Sequence, residues 1–288
     1  MIPPSFEYHA PTTVEDAIKL LSDLGDEAKL LAGGHSLLPM MKLRFAEPEH
    51  LIDMNNIESL KGIREDGNEI VIGAMTCEND LIISELLKQK CPLLPEAAKL
   101  IADPQVRYRG TIGGDIAHGD PANDHPALMM ALDATFTLQG PNGKRAVKAD
   151  DFFLGTYYTA LEEDEILSEI RLPVAPKNTG ASYHKLKRKT GDFATAAAAV
   201  VLQMSAGSCQ LARLALTNVG PTAMRVPAAE SLLAGAVVDD QVISQVVQAV
   251  MDACDPTVDL RGDVEYKTHM AGEMARRATI EAIELAGE

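Results

Sequence analysis

The sequence predicts an α+β protein built from two domains. Two small strand–helix units occupy the first sixty residues. The segment 173–180 (PVAPKNTG) has the Pro- and Gly-rich composition of a linker, and after it the pattern changes to three successive strands followed by two long helices. At 288 residues the chain is long enough to bury a sizeable core in each domain without disulfides.

In the N-terminal part, Thr13 is placed as the N-cap of an amphipathic helix that ends at Gly25. Apolar runs bounded by turn residues predict strands at 29–32, 50–54, 69–73, 136–139, 144–147 and 166–172. Helical spacing and capping residues predict helical turns at 76–83, 84–90 and 95–102. Thr76 is expected to cap the first of these, and a further helix is expected to start at 123–126, with Asp124 as a candidate N-cap and Pro126 in its first position.

The C-terminal part begins with three predicted strands, at 182–187, 195–204 and 209–217. Two long helices follow, at 240–254 and 265–286, and the second carries an apolar stripe. We assign that stripe to the core rather than to a cofactor. A strand meander followed by helices predicts a second α+β domain.

The charge balance excludes some functions. A formal net charge of −16 repels nucleic acid and anionic membrane surfaces. The one basic cluster consists of Lys185, Lys187, Arg188 and Lys189, and its pattern fits an anion site or a solvated strand face equally well.

The four cysteines, at positions 77, 91, 209 and 254, form no CxxC pair. This spacing gives no basis for a zinc ribbon or an iron–sulfur site. Scattered thiols and the absence of a recognisable leader predict a cytoplasmic protein, with the inner face of the membrane, reached through a complex, as an open alternative.

Two glycine pairs are the most distinctive local features. They lie in LAGGHSLLP at 31–39 and in TIGGDIAHGDPANDHP at 111–126. Glycine lets backbone N–H groups face outward with no Cβ in the way, and rows of such groups bind phosphate oxygens. Rossmann and P-loop motifs are missing, so the sequence predicts that the two loops bind one diphosphate between them. A tight turn without a ligand is the alternative for either loop alone.

A dense polar group of His118, Asp120, Asp124 and His125 follows the second glycine pair. Imidazole and carboxylate ligands suit several divalent metals, so a metal-dependent hydrolase is an alternative function. The spacing is not that of HExxH, however. Asp124 is better explained as a helix N-cap or as an acceptor for a ribose hydroxyl.

Taken together, AGGHSLLP and TIGGDIAHGDPANDHP resemble the FAD-binding medium subunits of the molybdenum hydroxylases. The resemblance extends from PPSFEYHAP through KLKRKTGDFATAAAAVV to YKTHMAGEMARRA, and KLKRKTGD favours the carbon monoxide dehydrogenase branch. It implies an FAD-binding domain at 1–177, in which a small α/β subdomain and a mixed-sheet subdomain meet near 55–60. It also implies a C-terminal domain of the carbon monoxide dehydrogenase flavoprotein type at 178–288, a three-stranded antiparallel sheet with a helical bundle.

The resemblance also implies the cofactor site. The FAD diphosphate would bind at Ala32, Gly33, Gly34, His35 and Ser36 and at Thr111, Ile112, Gly113, Gly114 and Asp115. Asp124 matches a position that contacts adenosine, Ile101 and Leu161 match apolar positions along the flavin, and Lys185 and Phe193 match positions beside its ring. Further cofactor-binding residues are expected at Lys29, Leu31, Leu37, Ala102 and Ala117. No residue is expected to be a catalytic acid or base or a metal ligand.

Two departures from the family pattern matter. The family often has Asn at the position of Asp115, and a carboxylate beside a diphosphate is unfavourable unless it accepts backbone or ribose hydrogen bonds. Phe193 stands where close relatives often have Tyr or Trp, so the stacking surface is kept and the polar group is lost.

The implied function is that of an electron-transfer subunit of an oxidoreductase. Electrons would pass from [2Fe–2S] clusters on a small subunit to FAD here and then to a quinone or another acceptor. The molybdenum cofactor would lie on a large subunit, in an assembly expected to be a dimer of heterotrimers.

Three alternatives stay open at this point. The chain could serve a related hydroxylase for an aldehyde or an N-heterocycle, it could be the hydrolase above, or it could be a scaffold that has lost FAD, for which Asp115 is the only hint. Gly33→Val or Gly114→Val is expected to abolish FAD retention in a folded chain.

Overall fold

The computed structural model describes residues 2–287, and it has the predicted α+β class. Three sheets and their covering helices follow one another along the chain, and a small two-stranded sheet completes them. Among the described residues, no helix is both long and apolar enough to cross a membrane.

The N-terminal unit is a small three-stranded parallel sheet. Its strands are β1 (Glu7–His9), β2 (Ala28–Leu31) and β3 (His50–Asp53), in the order β1-β3-β2. Helix α1 (Val14–Leu24) covers it, and helix α2 (Leu37–Leu43) follows β2. As predicted, Thr13 caps α1, with its Oγ1 accepting from the Asp16 N–H at 3.1 Å, and Gly25 ends it. Parallel strands need a crossover connection, usually a helix, which explains why helical segments separate the two predicted strands of this unit.

The second unit is a five-stranded sheet in the order β4-β5-β10-β6-β7. Its strands are β4 (Ile63–Asp66), β5 (Glu69–Gly73), β6 (Thr135–Gly140), β7 (Gly143–Lys148) and β10 (Ile166–Pro173). The GPNG hairpin is confirmed as the connection between β6 and β7. All four pairings are antiparallel, so the expectation of a mixed sheet is wrong in this detail: the parallel pairings are confined to the small N-terminal sheet.

Short helices cover this sheet. They are α3 (Glu78–Ile83), α4 (Glu85–Lys90), α5 (Leu93–Ala98), α6 (Pro104–Arg107), α7 (Ile112–His118), α8 (Asp124–Ala131) and α9 (Ala149–Phe152), and the small hairpin of β8 (Phe153–Gly155) and β9 (Tyr158–Thr159) follows. Thr76 does not cap α3, because its hydroxyl donates to the Gly62 carbonyl instead. Asn123, not Asp124, is the N-cap of α8, and Pro126 is its third residue rather than its first.

The third unit carries β11 (Thr179–Leu186), β12 (Ala196–Ser205), β13 (Ser208–Thr217) and β14 (Met224–Arg225), in that order. The expected three-stranded sheet therefore has a fourth strand, and at two residues β14 is too short to leave a sequence pattern. Helices α10 (Pro227–Leu233), α11 (Asp240–Ala253) and α12 (Val264–Ala286) follow, close to the predicted bounds of the two long ones.

Strand β12 explains how this sheet joins the rest of the molecule. Its alternate residues Ala196, Ala198 and Val200 belong to the core under α12, whereas Ala197 and Ala199 belong to the core of the preceding unit. Side chains alternate across a strand, so both faces of β12 are covered. This double burial accounts for its uninterrupted apolar sequence, which would be costly on a strand with one face in water.

Candidate functional site

The first glycine pair forms a connection between β2 and α2, as the sequence predicts. Gly34 has φ +76°, a conformation that favours glycine. A Cβ on Gly33 would stand 2.3 Å from the Arg109 carbonyl oxygen, so this glycine is needed for close packing of two backbone segments. Among the described residues, the N–H groups of Gly33, Gly34, His35 and Ser36 have no protein acceptor. They are available to a ligand.

The second glycine pair is not a loop. Gly113 and Gly114 lie in the first turn of α7, whose N-cap is Thr111. A loop was expected because two adjacent glycines are poor helix formers. A Cβ on Gly113 would stand 2.4 Å from the Cβ of Ala74, so the glycine lets α7 approach the end of β5. This contact between segments distant in sequence overrides the local propensity.

The N–H groups of this helix start are already engaged. Ile112 donates to the Thr76 carbonyl at 3.1 Å, and Gly113 donates to the Ala74 carbonyl at 2.9 Å. Gly114 donates to Thr111 Oγ1 at 3.2 Å, and the Asp115 N–H donates to the Thr111 carbonyl. The two glycine pairs are therefore unequal: the first offers free backbone donors, and the second offers side chains and a close surface.

Both glycine segments border one open cavity of about 560 Å³, a size typical of sites for small molecules and cofactors. The predicted site residues in its lining are Lys29, Ala32, Gly33, Gly34, His35, Ser36, Leu37, Ile101, Thr111, Gly113, Gly114, Asp115, Ala117 and Leu161. Leu31, Ala102, Ile112, Asp124, Lys185 and Phe193 are not in it. The assignment of all these residues to the cofactor remains a prediction.

Sequence reasoning missed several lining residues. Met40, Met54, Glu78, His118 and Tyr157 also border the cavity. The methionines carry no motif, but flexible thioether side chains suit an irregular ligand surface. The rings of His118 and Tyr157 pack with centroids 5.0 Å apart, and burial lowers the pKa of His118.

A group of buried ionisable side chains lies at the cavity wall. His125 is fully buried, and its Nε2 lies 2.8 Å from Glu78 Oε1. Burial lowers the pKa of His125, but the Glu78 carboxylate more than offsets this and the pKa is raised to about 9. Asp115, like Glu78, lines the cavity, and burial raises the pKa of Asp115 to about 7. Asp115 Oδ2 and His125 Nδ1 are buried and have no hydrogen-bond partner in the described protein.

Asp124 and Lys185 form a second buried pair. Lys185 Nζ lies 2.6 Å from Asp124 Oδ2, and the two side chains are 1% and 5% exposed. The Tyr183 hydroxyl donates to the other Asp124 oxygen. In this structure the Asp124 carboxylate is thus occupied by protein groups rather than presented to the cavity.

The basic cluster is not one uniform surface. Lys187 donates to the Leu100 carbonyl at 2.9 Å, and Arg188 pairs with Asp192 at 2.7 Å. Phe193 is 44% exposed, with the Arg261 guanidinium 5.5 Å from its ring centroid. Of the cluster, Lys185 alone is buried against a carboxylate.

The hydrolase alternative finds no support. His118 packs on Tyr157, whereas His125 is bound to Glu78, so the two histidines serve different partners. Within residues 2–287, the one group of three potential metal ligands that lie close together is Glu7, His9 and His50, which was not the predicted set.

The cavity fits a flavin dinucleotide in three respects. A loop with four free N–H donors can bind phosphate oxygens. Both glycine segments line the same cavity, so a ligand bound there can contact the two at once. Apolar side chains such as Met54, Ile101 and Leu161 provide a surface for aromatic rings.

Comparison with known proteins gives the same assignment. Residues 4–175 match the model of the FAD binding domain in molybdopterin dehydrogenase, and residues 181–282 match that of the CO dehydrogenase flavoprotein C-terminal domain. The carbon monoxide dehydrogenase medium chain of Hydrogenophaga pseudoflava is 61% identical over 96% of this chain and 97% of its own length. That of Afipia carboxidovorans is 52% identical, over 96% of each chain.

Solved structures agree. A structure of carbon monoxide dehydrogenase from Hydrogenophaga pseudoflava, lacking the Mo-pyranopterin moiety, matches with a TM-score of 0.97, 62% identity and 98% coverage of both chains. Quinoline 2-oxidoreductase from Pseudomonas putida 86 matches with a TM-score of 0.95 but only 31% identity, over the full length of both chains. The chain belongs to the family of FAD-binding medium subunits of carbon monoxide dehydrogenase and related molybdenum hydroxylases.

Proposed function

We propose that this chain carries FAD in the cavity between the first glycine loop and α7, as the electron-transfer subunit of a carbon monoxide dehydrogenase. The observation that carries the proposal is the set of free N–H donors at Gly33, Gly34, His35 and Ser36, which borders a cavity large enough for a cofactor. Bound FAD would supply one- and two-electron redox chemistry. The identity of 61% and 52% to carbon monoxide dehydrogenase chains, against 31% to quinoline 2-oxidoreductase, favours the carbon monoxide branch.

The residues of this chain would bind and shield the cofactor rather than transfer protons. The first glycine loop would hold the diphosphate, with the Ser36 hydroxyl as an additional donor. Thr111 and Asp115 would close the opposite side of the cavity, since both line it. Ile101 and Leu161 would exclude water from an apolar portion of the cofactor.

The complex would supply the remaining redox centres. We propose a small subunit with [2Fe–2S] clusters and a large subunit with the molybdenum cofactor, arranged as a dimer of heterotrimers, and a quinone or another electron acceptor. The relatives are named as medium chains, which supports an assembly with further subunits. The four cysteines, all free, support the expected cytoplasmic location.

We also propose the domain division at 177/178, with the subdomain break near 55–60. The two family matches fall on either side of the first boundary. The second is supported by the sheets, because β1, β2 and β3 pair only with one another and β4 begins the next sheet at Ile63.

Ser36→Ala tests the diphosphate site. The Ser36 side chain makes no capping hydrogen bond to α2, so its removal leaves the fold unchanged. Loss of one hydroxyl donor to a charged oxygen is expected to weaken FAD binding by roughly tenfold or more, since such bonds contribute about 1.5–3 kcal/mol. Ser244→Ala, which removes an exposed hydroxyl bonded within α11, is the matched control. FAD affinity is measured by flavin fluorescence on the assembled complex, and equal affinities of the two variants would remove Ser36 from the site.

A further inference from the structure

Glu7, His9 and His50 form a cluster of potential metal ligands on the N-terminal sheet. None of the three borders the cofactor cavity, so the proposed FAD site gives them no role. One ligand atom of each side chain lies within 4.8 Å of those of the other two. The cluster therefore brings together two imidazoles and a carboxylate, a set that suits a divalent transition metal.

The register of β1 and β3 accounts for this approach. The two strands are parallel, Glu7 is paired directly with His50, and His9 lies two residues further along β1. Side chains two residues apart on a strand point to the same face of a sheet, so the three groups share one face. The His50 side chain is only 15% exposed and is held by its surroundings, whereas that of Glu7 is 76% exposed and can rotate towards it.

The distances between the ligand atoms match those of a tetrahedral zinc site. Zinc bonds to nitrogen or oxygen of about 2.0–2.2 Å, at tetrahedral angles, put any two ligand atoms roughly 3.3–3.5 Å apart. His9 Nε2 lies 3.1 Å from His50 Nδ1, and Glu7 Oε2 lies 3.5 Å from the same nitrogen. Small side-chain rotations would therefore let one ion reach all three atoms.

Without a metal, the same groups would form a hydrogen bond between the two imidazoles, with the Glu7 carboxylate beside it. That arrangement accounts for the 3.1 Å contact but leaves Glu7 Oε2 at 3.5 Å, beyond ordinary hydrogen-bond distance. A metal ion engages all three atoms at once. Mg²⁺ and Ca²⁺ prefer oxygen ligands, so two imidazoles select zinc over these ions.

We propose that Glu7, His9 and His50 bind one Zn²⁺ ion, with the fourth tetrahedral position open to water. The proposal departs from the sequence-based expectation that no residue is a metal ligand, and it does not depend on the FAD site. Zinc has no redox chemistry, so the ion takes no part in electron transfer. It holds the edge strand β1, which pairs with β3 alone, against the rest of the sheet.

The experiment uses the assembled complex, freed of loosely bound metal, and measures zinc affinity by competition with a chromophoric chelator. His9→Ala and His50→Ala are each expected to weaken zinc binding by roughly 100-fold or more, because changes in groups that only orient a metal ligand already cost about 10–100-fold. Glu7→Gln is expected to weaken it as well. His269→Ala removes an exposed histidine of α12 and is the matched control, with unchanged affinity expected.

Binding of one zinc ion per copy of this chain that is lost in H9A and in H50A but persists in H269A supports the proposal, as does zinc that excess Mg²⁺ fails to displace. Equal zinc affinity in all variants, or a natural complex that binds no zinc, overturns it. The FAD content of each variant is recorded as a check that its fold is intact. Absence of FAD from every complex would remove the proposed function without bearing on the zinc site.

Discussion

Replacing Lys185 by methionine tests whether this lysine is held as half of a buried ion pair. Lys185→Met keeps the aliphatic volume and removes the charge. The Asp124 carboxylate would remain 95% buried, with the Tyr183 hydroxyl as its remaining donor. Breaking a buried pair by removing one partner costs about 3–5 kcal/mol, and the Tyr183 hydrogen bond places the expected loss near the lower end, at about 3 kcal/mol.

The loss is measured as a change in the free energy of unfolding in urea, followed by far-ultraviolet circular dichroism. Lys187→Met is the matched control, because Lys187 comes just after the end of β11, donates to the Leu100 carbonyl and forms no ion pair among the described residues. Loss of that one hydrogen bond is expected to cost about 1 kcal/mol. The double variant K185M/D124N removes both charges and leaves an amide oxygen for Tyr183, so it should recover at least half of the loss.

Equal destabilisation by K185M and K187M would refute the ion-pair interpretation. So would a K185M/D124N variant whose loss of stability equals the sum of the losses measured for K185M and for D124N alone. If the stability of the double variant is recovered but its flavin absorption spectrum shifts, the Lys185–Asp124 pair acts on the cofactor as well.

Two further predictions concern the cavity wall. Gly33→Ala is expected to lower both the melting temperature and the FAD content of the complex, because the new Cβ would stand 2.3 Å from the Arg109 carbonyl oxygen. Gly155→Ala is the control and should leave both unchanged, since its Cβ would have its nearest contact at 3.7 Å. Loss of FAD without loss of stability would instead mean that Gly33 only makes room for phosphate. The raised pKa of His125, about 9, means that its pair with Glu78 stabilises the fold fully below about pH 6.5 and that this contribution, on the order of 3 kcal/mol, is lost as pH rises towards 9. Unfolding free energies measured from pH 6 to pH 9 should therefore fall in the natural protein and fall less in His125→Gln, and parallel curves would contradict the assignment.

The elements that the sequence predicts well have strong local signals. The GPNG hairpin, the Thr13 cap and the long helices α11 and α12 depend on turn chemistry, capping and helical spacing, all of which act over a few residues. The first glycine loop was predictable for the same reason. In each case local preference and tertiary structure agree.

The errors arise where distant contacts decide. The helical state of Gly113 and Gly114 depends on the approach of Ala74, and the burial of Asp124 depends on Lys185, 61 residues later. Neither partner can be identified from spacing. The resemblance named Asp124 and Lys185 as cofactor residues, but the structure shows first that they bind each other, and their relation to FAD remains a prediction.

The decisive observation is the visible absorption spectrum of the purified complex, with chemical identification of any cofactor released on denaturation. A flavin spectrum and released FAD are expected from the cavity at the first glycine loop, and Ser36→Ala should reduce the amount retained. A colourless complex that also fails to take up added FAD at pH 6 would mean that the glycine pairs serve packing alone, and the proposed function would fall.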